Sequence, residues 1–141
     1  MTPIALCRIY ESKLFGNSYG TGGNMQKSFA ICDPALDDKR VATIFYDTDY
    51  KRFHINIDPL ADVSSLPISL KMHAEMGRFD LDESFSMDWV RARMCPPSRY
   101  NISNILDYLG IAEYDEFAIL MKTAGRSLMD DLYLDGVTSV I

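Results

Sequence analysis

The chain has 141 residues, of which 48% are hydrophobic, so length and apolar content predict one domain with a core of ordinary size over residues 1–141. Its longest apolar runs fall far short of the roughly 20 residues a membrane span needs, and Met1-Thr2-Pro3 opens without a basic n-region, so the expectation is a cytoplasmic protein with no membrane partner and no secretory signal. The formal net charge is −6 and unevenly spread: residues 1–60 balance seven basic against seven acidic side chains, whereas residues 101–141 set two against seven, a balance that opposes phosphate neutralisation and disfavours duplex DNA as a partner.

Residues 3–10 are rich in β-compatible side chains and form the first predicted strand. Gly16, Gly20, Gly22 and Gly23 then permit positive φ in a long loop. A phosphate-cradling loop has this look, but no helix with an amide-rich start follows and Lys27 is not in a Gly-Lys-Ser/Thr context. A hairpin loop is the expectation. Residues 28–32, 40–46 and 52–57 are the next strands, the last alternating Phe53, Ile55 and Ile57 against Arg52, His54 and Asn56, which buries one face and wets the other. The link from Asp47 to Lys51 is short and polar, so the last two strands should pair as an antiparallel hairpin.

Two alternative functions attach to that hairpin. Asp47, Asp49 and Lys51 contain the D-x-K fragment of some metal-dependent nucleases, in which a carboxylate binds the metal and a lysine supports the attacking water. Aspartates also favour turns for their own reasons, and the turn is the expected reading. Tyr46, Tyr50, Lys51, Arg52 and Phe53 could instead stack nucleic-acid bases. His54 and His73, the only histidines, lack a spaced second ligand and read as surface residues. Cys7, Cys32 and Cys95 are odd in number and far apart, which predicts free thiols with neither a disulfide framework nor a zinc site. No cofactor, metal or catalytic constellation is expected.

After Pro59 the segment 61–67 reads as a loop, and Ile68-Ser69-Leu70-Lys71-Met72 alternates as a short strand, with a helix running through Glu75 as the other possibility. A helix holding Trp89 and Arg91 follows, with Asp82, Ser84, Ser86 or Asp88 as cap, and it must stop near Met94 because Pro96-Pro97 cannot continue it. Ile102, Ile105, Leu106 and Leu109 form the apolar stripe of the next helix, capped by Asn101 and closed by Gly110, with Ile111 folding over its last turn. Asp115 caps a further helix built on Phe117, Leu120, Met121 and Ala124 and ended by Gly125. The expected class is therefore α+β: an antiparallel sheet of four to five strands over about 2–75, three short helices over about 86–125 and a terminal extended segment. The β-rich half spans 1–75 and the helical half 80–141.

The charged side chains of the helical half divide into two groups. Trp89, Arg93, Arg99 and Asp131 are expected to be structural, with Trp89 in the core and Arg93 and Arg99 pairing with Asp130, Asp131 or the helix C-termini. Arg91 is expected to point the other way. Together with Glu113, Glu116 and Asp135 it is a candidate for contact with a partner, because charge on a face whose apolar positions serve the core acts through encounter rate and specificity.

Trp89, Arg93, the proline pair, Arg99, the 102–110 helix, Leu120-Met121-Lys122, Gly125-Arg126-Ser127-Leu128 and Asp131-Leu132-Tyr133-Leu134 resemble the N-terminal, non-catalytic segment of Firmicutes HipA-like kinases. The likeness covers about a third of the chain, and Arg126 stands where that segment usually has leucine. It implies no catalysis, because the sequence after Tyr133 holds neither a phosphate-binding loop nor a catalytic-loop signature. What it implies is a non-enzymatic factor that binds another protein, such as an antitoxin-like regulator or an inhibitor of a host defence nuclease carried by a phage or other mobile element.

Overall fold

The computed structural model describes residues 26–136. The expected strand at 3–10, the glycine-rich loop at 16–24 and Cys7 lie outside the described residues. The architecture is α+β. Strands β1 (Gln26–Asp33), β2 (Lys39–Asp47), β3 (Arg52–Ile57) and β4 (Tyr133–Leu134) form an antiparallel sheet in the order β3-β2-β1-β4. Helices α1 (Ile68–Glu75), α2 (Glu83–Arg91), α3 (Ile102–Leu109) and α4 (Glu116–Thr123) complete the described chain.

In the β2–β3 hairpin β3 has the expected boundaries and alternation, and β2 runs one residue further at each end than the expected 40–46. Phe53, Ile55 and Ile57 are buried to 1% exposure or less, while His54 and Asn56 between them are only half-buried. Tyr46 pairs across from Phe53 and Ile44 across from Ile55, so apolar side chains from two strands meet on one face.

β3 is an edge strand, and its outward amides are all satisfied. The Phe53 N–H points at Met87 Sδ (3.4 Å), the Ile55 N–H donates to Ser86 Oγ (3.0 Å) and the Ile57 N–H donates to the Phe79 carbonyl (2.6 Å). Ser86 is fully buried for this purpose, and its hydroxyl donates onward to the Asp82 carbonyl (2.8 Å). The start of α2 thereby shields an edge that would otherwise invite strand addition.

Two sequence expectations are corrected here. Residues 68–72 are helical, in α1. Leu70 and Ala74 turn inward at i, i+4 spacing while Ile68, Met72 and Met76 remain exposed, so both faces of the segment are apolar and its alternation imitated a strand. Four helices stand where three were expected. The sheet also recruits the C-terminal segment: Leu134 pairs with Ile31 and Tyr133 with Cys32, so the terminal extension is part of the sheet. Gly125 (φ +67°) makes room for it, since a Cβ there would lie 3.1 Å from Leu134 Cγ.

Caps follow the sequence in part. Asp82 and Asp115 cap α2 and α4 through their carboxylates, which accept from the Phe85 N–H (2.7 Å) and the Phe117 N–H (3.0 Å). Gly110 (φ +74°) closes α3 and the Ile111 N–H reaches back to the Leu106 carbonyl. Asn101 sits at the N-cap of α3 but makes no side-chain cap there, because its Oδ1 accepts from Arg99 Nε at 2.9 Å. The left-handed turn after α4 begins at Ala124 (φ +53°), one residue before Gly125.

Candidate functional site

A cleft of about 1070 Å³ opens between the β2–β3 hairpin, the chain that leaves α2 and the α3–α4 loop. Tyr46, Lys51 and Phe53 come from the hairpin, Arg91 to Pro97 form one wall, and Ile111 to Glu116 form the other. Each wall has a local cause. α2 ends at Arg91, short of the stop expected near Met94, and Pro96-Pro97 keeps the chain that follows out of a helix, while Asp115 is extended (φ −145°, ψ 116°) where it caps α4, which puts Glu113 to Glu116 on the rim. The Tyr114 hydroxyl donates to the Cys95 carbonyl at 2.7 Å and ties the two walls together.

Beneath the cleft lies an aromatic layer. Tyr46 stacks on Phe117 with centroids 4.2 Å apart and planes 10° apart, and meets Phe53 at 4.7 Å. Offset aromatic packing of this kind fixes position beyond what area burial alone supplies.

The electrostatics of the cleft are acidic. Burial and then the Asp115, Glu116 and Asp47 carboxylates push the Tyr46 hydroxyl above its usual pKa. Burial and then Glu116 do the same to Tyr114. Arg91 Nε donates to Glu116 Oε2 at 2.6 Å, and that bond holds the guanidinium above its usual pKa. The pair is a rim contact, with Arg91 57% and Glu116 25% exposed. Glu113 and Lys51 are exposed and make no ion pair among the described residues.

Three of the four residues expected to meet a partner, Arg91, Glu113 and Glu116, thus line one cleft. Asp135 does not. It is 4% exposed, because pairing of β4 with β1 carries it inward, where its N–H donates to the Ala30 carbonyl (3.0 Å).

Of the four expected structural residues, Trp89 is buried at 5% exposure and Arg93 pairs with Asp130 through both terminal nitrogens. Arg93 Nε also donates to the Gly125 carbonyl (2.6 Å), and its guanidinium lies 4.0 Å over the Trp89 ring. Arg99 and Asp131 do not pair. Both are exposed, since Arg93 already fills the coordination of Asp130 and the chain past Pro97 turns Arg99 toward Asn101.

The hairpin residues are placed plainly. Asp47 Oδ1 accepts from the Asp49 and Tyr50 amides (2.9 and 3.1 Å), as a turn aspartate does. Tyr46 and Phe53 are core residues at 7% and 1% exposure, so neither presents a face to a base. His54 Nε2 lies 2.5 Å from Asp80 Oδ1, and this bond, with a second from Asn56, holds the Asp80 carboxyl below its usual pKa. The His73 ring packs 4.2 Å from the Phe85 ring. Among the described residues no group of three or more His, Cys, Asp or Glu side chains is placed to hold a metal ion, and neither Cys32 nor Cys95 is in a disulfide there. No described helix is long and apolar enough to cross a membrane.

Sequence reasoning missed Tyr114, Met94 and the prolines as cleft walls. The prolines were legible only as helix stops. The fold defines an α+β protein with a cleft rimmed by Glu113, Asp115 and Glu116, and neither family models, curated proteins nor solved structures gave a match to the chain.

Proposed function

We propose that this chain is a small, non-enzymatic, cytoplasmic factor that works by binding a basic segment of another protein in the cleft between the β2–β3 hairpin and the α3–α4 loop. The observation that carries this reading is the set of three carboxylates, Glu113, Asp115 and Glu116, on the rim of a roomy cleft with apolar walls. Carboxylates beside the apolar Met94, Pro96, Pro97 and Ile111 match a lysine or arginine, whose charged head meets the rim while its aliphatic stem lies along those walls. Glu113 has no internal partner among the described residues, and the exposed Arg91–Glu116 pair can be exchanged for an intermolecular one at little loss.

The finer role rests on the resemblance of the 89–134 region to the non-catalytic segment of HipA-like kinases. That resemblance supports an accessory protein of a phage or other mobile element, acting as an antitoxin-like regulator or as an inhibitor that fills the basic nucleic-acid groove of a host defence nuclease. An acidic protein suits the second role because it competes for a surface built to attract phosphates.

The test is capture of the tagged chain from its native host followed by mass spectrometry and nucleic-acid analysis of the eluate. A stoichiometric protein partner whose release is steeply salt-dependent is the expected result. Nucleic acid without protein, or neither, refutes the proposal.

A further inference from the structure

A second cleft, of about 500 Å³, adjoins the first at Met94 and Pro96 and has the opposite character. Among its lining residues are Arg93, Arg99 and Arg126, and there is no Asp or Glu in that lining. Arg93 is neutralised by Asp130. Arg99 and Arg126 are not paired with any carboxylate among the described residues. Each is oriented by a group that leaves its charge intact: Arg99 Nε by the Asn101 amide oxygen at 2.9 Å, and the Arg126 guanidinium by the Tyr133 ring at 5.0 Å. In a chain of net charge −6, two oriented and uncompensated guanidiniums in one cleft are the exception to the surface.

The loop beside them is held by one side chain. Arg93 donates to the Gly125 carbonyl and to the Asp130 carboxylate, so a single buried fork fastens both ends of the four residues 126–129. The Met129 N–H also donates to Ser127 Oγ at 3.1 Å. On this fastened loop Leu128 and Met129 stand free at 108% and 81% exposure. Two large apolar side chains held out in water by a braced loop are placed for burial against something else, and bracing removes much of the ordering loss that binding would otherwise incur.

We propose that Arg99, Arg126, Leu128 and Met129 form a docking site for an acidic peptide segment of a partner protein, one that carries carboxylates together with a large apolar side chain. Guanidinium forks take carboxylates bidentately, and Leu128 and Met129 take the apolar side chain, the methionine adapting to its shape. A nucleic acid offers the anions but no aliphatic complement, and its backbone is repelled by the acidic remainder of the C-terminal region. The site is distinct from the acidic cleft and does not depend on what occupies that one.

The experiment is selection of a random twelve-residue peptide library on the full chain, followed by binding of the enriched peptides to three variants: Arg99→Gln/Arg126→Gln, Leu128→Ser/Met129→Ser, and Glu113→Lys. All five positions are exposed, and melting temperature is the control for folding. The expected result is enrichment of peptides that combine Asp or Glu with Leu, Ile, Met or Phe, binding at least tenfold more weakly to each of the first two variants and undiminished to the third. The proposal is overturned if nothing enriches, if enriched peptides lack acidic residues, or if they bind the first two variants within twofold of wild type. It is overturned equally if a twelve-residue polyglutamate binds as tightly, which would reduce the site to bare charge, or if a random single-stranded oligonucleotide binds more tightly, which would make it a nucleic-acid site.

Discussion

Replacing Arg93 with methionine removes the group that joins α2 to the C-terminal loop. The guanidinium is 5% exposed and the Asp130 carboxylate 15%, so water screens neither. Three contacts go at once: the two-pronged pair with Asp130, the bond to the Gly125 carbonyl and the stack on Trp89. What dominates is the carboxylate left behind, because removing one partner of a buried pair costs about 3–5 kcal/mol. For a domain of this size that is a fall in melting temperature of roughly 10–20 °C. Asp130→Leu should cost a similar amount, since it strands the guanidinium and also frees the Leu132 N–H that Asp130 caps at 3.1 Å. The Arg93→Met/Asp130→Leu protein should then be more stable than the sum of the single losses implies, with a coupling of about 2–3 kcal/mol in a double-mutant cycle read by thermal melting. Arg99→Ala is the contrast and should leave the melting temperature unchanged. Additive losses for Arg93 and Asp130, or an Arg99 effect as large as theirs, would refute the reasoning.

Asp115→Ala should lower stability by about 1 kcal/mol through loss of the α4 cap, measured by denaturant titration, whereas Asp115→Asn should keep most of it. Tyr133 donates to Asp38 Oδ1 at 2.7 Å, and burial first, then that bond, raises its pKa. Because the folded-state pKa lies above the unfolded one, the contribution is complete below about pH 10 and is lost as pH climbs past it. Melting temperature should therefore fall on the alkaline side, and less so for Tyr133→Phe; identical alkaline profiles would contradict this. The free protein should show no measurable affinity for random-sequence duplex DNA near physiological salt, so a submicromolar, steeply salt-dependent shift would overturn the electrostatic reading.

The hairpin was legible because its signal is local: Phe53, Ile55 and Ile57 alternate, and the four-residue link 48–51 sets their strand off from the preceding one. The cap at Asp115 was legible for the same reason, whereas Asp82 was one of four candidate caps and α2 ends at Arg91, ahead of the stop expected near Met94. Elsewhere a local pattern had two solutions. Ile68, Leu70 and Met72 alternate as a strand would, and only tertiary packing of Leu70 and Ala74 settles the segment as a helix that leaves its other apolar face in water. Long-range pairing was out of reach. Nothing around Tyr133 and Leu134 announces that they join β1 about a hundred residues earlier, and so nothing announces that Asp135 is drawn inside. The arginines show the limit most clearly. Arg93 and Arg99 flank the same proline pair with the same chemistry, and which of them turns toward Asp130 depends on the path of the chain around those prolines. Arg91, Glu113 and Glu116 share a cleft because α2 ends where the α3–α4 loop passes, a meeting that charge counting locates only to the right third of the chain.

The most direct test of the docking cleft is the affinity for the captured partner as a function of ionic strength. It should be measured for wild type, for Glu113→Lys/Glu116→Lys and for Asp49→Ala/His54→Gln, with melting temperature as the folding control. Reversal of the two rim charges should weaken binding at least tenfold at low salt and flatten its salt dependence, leaving the fold intact, while the Asp49/His54 variant should bind as wild type does. A silent charge reversal beside a folded Asp49/His54 variant that has lost function would contradict the binding reading and place an active site at the hairpin.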